Sequence, residues 1–185
     1  MGVIVQIGAG RGNDHVTPFY DEGHELYLVE ANAMHIATLD SVYPNANIVN
    51  MAIVTQAEHG NTLTMYYSTN DAPGYEVTSL DIGHVTKHGL DIKTIHTFDV
   101  YGMSLTSYLW WIGKPIEILF IDIEGHDEDV LCDTDLSAFD IAEIQVEMLH
   151  IRDTERLTAH MEQHGYTMTN RTYDKHGYDR IWSKV

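Results

Sequence analysis

The chain of 185 residues carries 28 acidic against 10 basic side chains, a formal net charge of −18 at pH 7. Phosphate backbones are gripped by clustered lysine and arginine; the sequence has no such cluster, so nucleic acid is not an expected partner. No apolar stretch is long enough to cross a bilayer, no basic residues precede the N-terminal apolar run, and the single cysteine, Cys132, allows no internal disulfide, so the expectation is one cytoplasmic domain over 1–185 with no membrane partner.

The first predicted element is "VIVQI" (3–7), a continuous apolar run suited to a strand buried on both faces of a parallel sheet. It breaks at "GAGRGN", after which a short helix starts and is interrupted near Pro18. "ELYLVE" (25–30) is the second strand. A helix over 32–43 follows, with Asn32 as N-cap, Met34, Ala37 and Val42 on its apolar side, and Pro44 ending it. "ANIVNMAIV" (46–54) is the third strand. The pattern then changes. "NTLTMYYS" (61–68) alternates like an inserted strand, 69–90 reads as a long loop with some helix, and "IHTFDVY" (95–101) is a further strand.

Ser104 caps a helix that Gly113 stops, and it carries a Trp110–Trp111 pair that serves either a core or an interface. "IEILFIDI" (116–123) is the next central strand, followed by a helix over 125–133, a strand over 141–149 and a helix over 153–165 begun by Asp153. Two alternating segments around "DKHG" make a terminal hairpin. The order implies an α/β fold: a doubly wound, mostly parallel sheet of about seven strands, with a C-terminal antiparallel hairpin and an inserted strand and loop region around 58–100.

The glycine loop, Gly8, Gly10 and Gly12, follows a buried strand, where a nucleotide-like cofactor approaches backbone closely. A dinucleotide fingerprint needs a further glycine where Asn13 stands; the spacing G-x-G-x-G suits S-adenosylmethionine instead. Glu30 ends the second strand, placed to accept both ribose hydroxyls of either cofactor. Asp122 and Glu124 lie two apart at the end of a central strand and so share a face toward the ligand crevice. A rim of Glu30, Asp122 and Glu124 favours the sulfonium and ammonium groups of S-adenosylmethionine over a pyrophosphate.

Asp127, Glu128 and Asp129 read as first-turn charges on a helix, and Cys132 as a small buried side chain. The pairs His84/His88 and His160/His164 have helical chelate spacing but no evident third ligand, so no metal site is assigned. Tyr66, Tyr67 and Tyr75 either stack on a substrate or pack under the loop.

These stretches resemble the FkbM family of S-adenosylmethionine-dependent methyltransferases. "VIVQIGAGRG", "LYLVEAN", "NIVNMAIV", "VTSLD", "IEILFIDIEGHDEDVL" and "AEIQVEM" follow the family's pattern in register over about 3–150, the fifth most specifically. The resemblance implies that Gly8, Ala9, Gly10 and Gly12 hold the methionine and ribose part of the cofactor. It implies Glu30 on the ribose hydroxyls, Asn50 and Ala52 near adenine, and Asp122 at the amino group or the reacting centre. Glu124 and Gly125 shape the turn beneath the substrate.

Three departures stand out. Gln6 replaces an aspartate at the cofactor's amino-acid end, Phe120 replaces a lysine, and Thr106 replaces an aspartate. The implied activity is O-methylation of a small or glycosidic hydroxyl acceptor, with Asp122, Glu124 and His126 at the catalytic centre. Glu124, His126 and His150 are the candidate bases, His126 foremost. Two alternatives stay open: an NAD or nucleotide-sugar enzyme, and a non-catalytic module that binds S-adenosylmethionine.

Overall fold

A computed structural model describes the chain apart from residues 13, 14, 73–75, 172 and 174–176. Asn13, Tyr75 and the "DKH" of the terminal turn therefore lie outside the described residues. Strand β1 (Val3–Ile7) pairs in parallel with β2 (Glu25–Glu30), and β2 with β3 (Asn47–Asn50). On the other side β1 pairs with β7 (Ile116–Ile121), and β7 with β8 (Ile141–Glu147), again in parallel. The strands β9 (Tyr166–Met168) and β10 (Asp179–Lys184) complete the sheet, both joined through antiparallel ladders. The order is β3-β2-β1-β7-β8-β10-β9. The chain runs outward from β1 and then returns to its other side at β7, so the crevice for ligands opens beyond the carboxyl ends of these two strands.

Alternate side chains of the central strands feed two cores, which is why β1 and β7 read as apolar runs interrupted only by Gln6 and Glu117. Val3, Val5 and Ile7 meet Leu119 and Ile121 on one face, and Ile4 meets Ile118 and Phe120 on the other. The first face is covered by α4 (Leu105–Ile112) and by α6 (Thr154–Gln163), which contributes Leu157 and Met161. The second is covered by α2 (Ala33–Val42) through Leu39, with Tyr43 just past the helix end. The helix starts follow the sequence: Asn32 accepts from Met34 N at 3.1 Å, Ser104 from Ser107 N at 3.3 Å, and Asp153 from Arg156 N at 2.9 Å. Gly113 closes α4 in the left-handed region at φ 60.

Two readings are corrected. Met34 and Val42 are 48% and 47% exposed, and Ala37 is exposed too; α2 buries His35 and Leu39 instead. A polar His35 occupies the inward stripe, so apolarity alone marks the wrong face. The third strand is also two strands. It breaks at Met51, and β4 (Ala52–Val54) leaves the main sheet to pair in parallel with the end of β6 (Ile95–Ser104). β5 (Thr62–Ser68) lies antiparallel on β6, giving the insertion a three-stranded sheet of its own.

The loop after β5 returns through a bridge between Tyr66 and Ser79 into α3 (Ile82–Lys87), capped by Asp81. Tyr67 packs on His96 and Phe98 of β6. Trp110 and Trp111 are 63% and 58% exposed and lean on Phe139, Tyr108 and Tyr27, outside the core. Among the described residues no helix is long and apolar enough to cross a membrane.

Candidate active site

The glycine loop is shaped by contacts that only glycine permits. Gly8 has φ +79, and a Cβ there would stand 1.7 Å from the Asp122 carbonyl oxygen. The loop is pinned because Gly8 N and Ala9 N both donate to Val29 O at 3.0 Å. Gly10 N then donates to Glu30 Oε2 at 2.7 Å, and Asn32 N donates to Glu30 Oε1 at 2.6 Å. Glu30 is 7% exposed, and burial pushes its carboxyl up to about 7 against these two backbone donors. One carboxylate thus holds the loop after β1 and the turn after β2 in a single geometry.

Beyond the loop lies a cavity of about 490 Å³, within the range of cofactor sites. Gly8, Ala9, Gly10, Gly12, Glu30, Ala52, Asp122, Glu124 and His126 all line it, so most of the sequence-predicted site converges there. The candidates Gln6, Asn50 and His150 do not line it. Gln6 is 1% exposed beneath the loop, its amide on Gly8 O at 3.4 Å and its Oε1 enclosed with no hydrogen-bond partner among the described residues. Asn50 donates to Glu30 O and Ala31 O, both at 2.8 Å, and so braces the turn instead of facing the cavity.

The structure also adds two carboxylates that chain order conceals. Glu147 ends β8 and Asp179 begins β10, and both face the cavity. The signal available for Glu147 was its place at a strand end. Asp179 has none, because its side chain is brought in by an antiparallel strand.

The cavity's acidic floor carries its chemistry. Burial, with the charges of Asp127, Glu147, Glu124 and Asp179, holds the Asp122 carboxyl well above the usual carboxylate range. Burial and Glu124 push Glu147 up to about 8. Asp122 Oδ1 and Glu147 Oε2 are enclosed with no hydrogen-bond partner among the described residues. Glu147 Oε2 lies 3.7 Å from His150 Nε2, and enclosed carboxylate oxygens of this kind favour a ligand that carries a cationic group with N–H donors.

Glu124 is the one non-glycine residue of positive φ (54) among those described. Its Oε2 sits 2.6 Å from His84 Nε2 and 3.7 Å from His150 Nε2. Burial lowers His150 to about 4. His126 borders the cavity and sets Nε2 3.2 Å from Glu58 Oε2.

The neighbouring acids are structural, as their helix position implies. They belong to α5 (Asp127–Cys132). Asp127 accepts from Ile123 N and Gly125 N, closing the turn after β7. Glu128 accepts from Arg152 N, Asp153 N and Arg156 Nη1, and Asp129 pairs with both arginines. Cys132 packs against the core, and burial raises its thiol.

A family model described as the methyltransferase FkbM domain matches residues 6–168. The chain belongs to this family. S-adenosylmethionine is its cofactor, and the cradle fits that molecule on the structure's own terms: a glycine loop with no room for a side chain at Gly8, a buried carboxylate at the end of β2, and enclosed carboxylate oxygens of Asp122 and Glu147 with no hydrogen-bond partner among the described residues.

The dinucleotide alternative falls with this assignment. No curated protein matches the chain. Among solved structures, it is similar to a TehB-like SAM-dependent methyltransferase from Corynebacterium glutamicum, at 10% identity over 100% of this chain and 80% of that one, with a TM-score of 0.48. It is also similar to a putative RNA methyltransferase from Pyrococcus horikoshii, at 12% identity over 100% and 75%, with a TM-score of 0.45.

The fold places two of the family departures side by side. Gln6 and Phe120 are direct partners in the β1–β7 register, 1% and 3% exposed. Where the family pattern has an aspartate and a lysine, opposite charges on adjacent strands, this chain has a neutral pair. With both partners neutral, no unpaired charge stands at this buried register position. Phe120 instead joins an aromatic cluster with His15, Phe19 and Tyr173.

Proposed function

We propose that the chain methylates an oxygen of a small or glycosidic hydroxyl acceptor, with His126 as general base. The observation that carries this reading is the pairing of His126 with Glu58 at the cavity wall. When bound, S-adenosylmethionine supplies a methyl group already activated on a sulfonium, which leaves alignment and the acceptor's proton to the protein. The glycine loop would hold the methionine and ribose part of the cofactor and Glu30 the ribose hydroxyls, and Asp122 and Glu147 would receive the cationic end through oxygens without a partner among the described residues. An alcohol loses its proton as the new bond forms, so a base must stand beside the acceptor. Glu58 accepts from one imidazole nitrogen of His126 and so fixes the ring, leaving the other nitrogen to take the acceptor proton.

The acidic wall favours neutral acceptors over anionic ones. The lone cysteine and the charge balance support a cytoplasmic setting. Melting curves with S-adenosylmethionine, S-adenosylhomocysteine and NAD test the cofactor, and release of S-adenosylhomocysteine over a panel of hydroxylated acceptors tests the reaction. Turnover on hydroxyl acceptors that disappears in Asp122→Ala supports the reading. Stabilisation by NAD alone, or turnover confined to amine or carbon acceptors, refutes it.

A further inference from the structure

The pair His84/His88 has the spacing of a chelate on α3, and the fold supplies what the sequence lacks. Glu124, from the turn after β7, and His150, three residues past β8, close on the same point. One ligand atom from each of the four residues lies within 4.8 Å of all the others. The rings of His84, His88 and His150 stand 4.5 to 5.2 Å apart, centroid to centroid.

From these positions we infer that His84, His88, Glu124 and His150 bind one divalent transition-metal ion, of the zinc class, as a staple between the insertion and the main sheet. A tetrahedral shell with bonds of about 2.0–2.1 Å spaces its ligand atoms roughly 3.3 Å apart. The distances of 2.6 and 3.7 Å from Glu124 Oε2 to His84 Nε2 and His150 Nε2 bracket that value, and the widest spread in the set, within 4.8 Å, is to be closed by side-chain rotation. Three imidazoles and one carboxylate suit zinc and its neighbours, whereas magnesium and calcium take oxygen sets. Four protein ligands fill the shell, which is the pattern of a structural ion and not of one that activates water.

The backbone is arranged for it. Ser79 Oγ donates to Glu124 O at 2.9 Å, tying the segment before α3 to the turn that carries the carboxylate. That turn is tight: a Cβ at Gly125 would meet His84 Nδ1 at 2.8 Å. Glu76, Thr78 and Leu80, in the segment leading to α3, form one wall of the cavity, so an ion on α3 fixes that wall. One group opposes the ion: Lys87 Nζ lies 3.3 Å from His150 Nδ1 on an exposed side chain.

The test needs no methyl transfer. The full chain is stripped with chelator and titrated with zinc chloride, with metal counted by mass spectrometry and stability followed by melting. Cobalt substitution reports geometry through its visible absorption. We expect one zinc per chain, a melting point raised by several degrees and the intense bands of tetrahedral cobalt.

His88 is exposed, so His88→Ala folds, and as a lost ligand it should weaken zinc binding by more than the roughly 10–100-fold that losing an outer-shell partner costs. His150→Ala should do the same, His160→Ala should leave zinc affinity unchanged, and Lys87→Met should tighten binding by removing the adjacent cation. Zinc that fails to saturate at one equivalent overturns the site. Binding indifferent to His88→Ala, His150→Ala and Lys87→Met overturns it equally.

Discussion

Replacing Gly8 by alanine tests whether the loop after β1 is as tightly locked as its geometry states. The new methyl would sit 1.7 Å from the Asp122 carbonyl oxygen and 2.8 Å from its carbon, both backbone atoms. A carbon–oxygen contact settles near about 3.3 Å, so the two segments must part by about 1.5 Å. Asp122 N to Ile7 O at 3.1 Å ties them, and Gly8 N and Ala9 N to Val29 O at 3.0 Å hold the loop on β2, so parting strains these bonds. Losing two of these bonds at about 1 kcal/mol each, and holding alanine at φ +79 for about 1–2 kcal/mol more, destabilises by roughly 3–4 kcal/mol.

For a chain of this size that lowers the melting point by about 10 °C. Gly10→Ala is the internal control. It shares a positive φ of 54 but meets nothing within 4 Å, so it should cost about 1 kcal/mol, or about 3 °C. Differential scanning fluorimetry of both variants without ligand decides the matter. Equal melting points for the two would show that close approach to β7 contributes nothing and would refute the reasoning.

Three further expectations follow from the same site. Glu147 has its folded pKa raised from 4.5 to about 8, so the folded chain keeps a proton that the unfolded chain loses, and stability falls as pH rises across that window. Glu147→Gln should flatten the fall and stabilise the ligand-free chain above pH 8 by about 1–3 kcal/mol, read from urea melts at a series of pH values. His126→Ala should lower turnover by about 10²–10⁴ while leaving affinity for S-adenosylhomocysteine unchanged, and Glu58→Gln should lower it less; equal loss of affinity in calorimetry would instead make His126 a binding residue. Gln6→Asp and Phe120→Lys should each cost about 3–5 kcal/mol by burying an unpaired charge, while the double variant recovers at least about 1 kcal/mol in a double-mutant cycle.

Much of the fold is written locally. The strand over 25–30 and the caps Asn32, Ser104 and Asp153 occur where periodicity and short-range hydrogen bonding place them. Sequence rules fail where a neighbour overrides them. The strand over 46–54 divides at Met51 because β6 captures its second half, which no local pattern announces. The helix α2 turns His35 inward because Leu39 and Tyr43 carry its packing on the sheet. Asn50 lies at the right strand end, yet its amide is taken up by backbone carbonyls.

By itself the sequence determined the order of elements, the glycine loop, the carboxylate of Glu30 and the family. These depend on interactions within a few residues or on one strand-to-helix turn. The tertiary structure alone decided which carboxylates share the cavity and which histidines share a carboxylate. Glu147 and Asp179 join Asp122 because β8 lies between β7 and the antiparallel β10. The pair His84/His88 faces a solvated side when read along its helix, and becomes part of a four-residue cluster only when the insertion folds back over the ends of β7 and β8. Spacing along a chain carries no record of such an approach; sheet order and the path of the insertion create it.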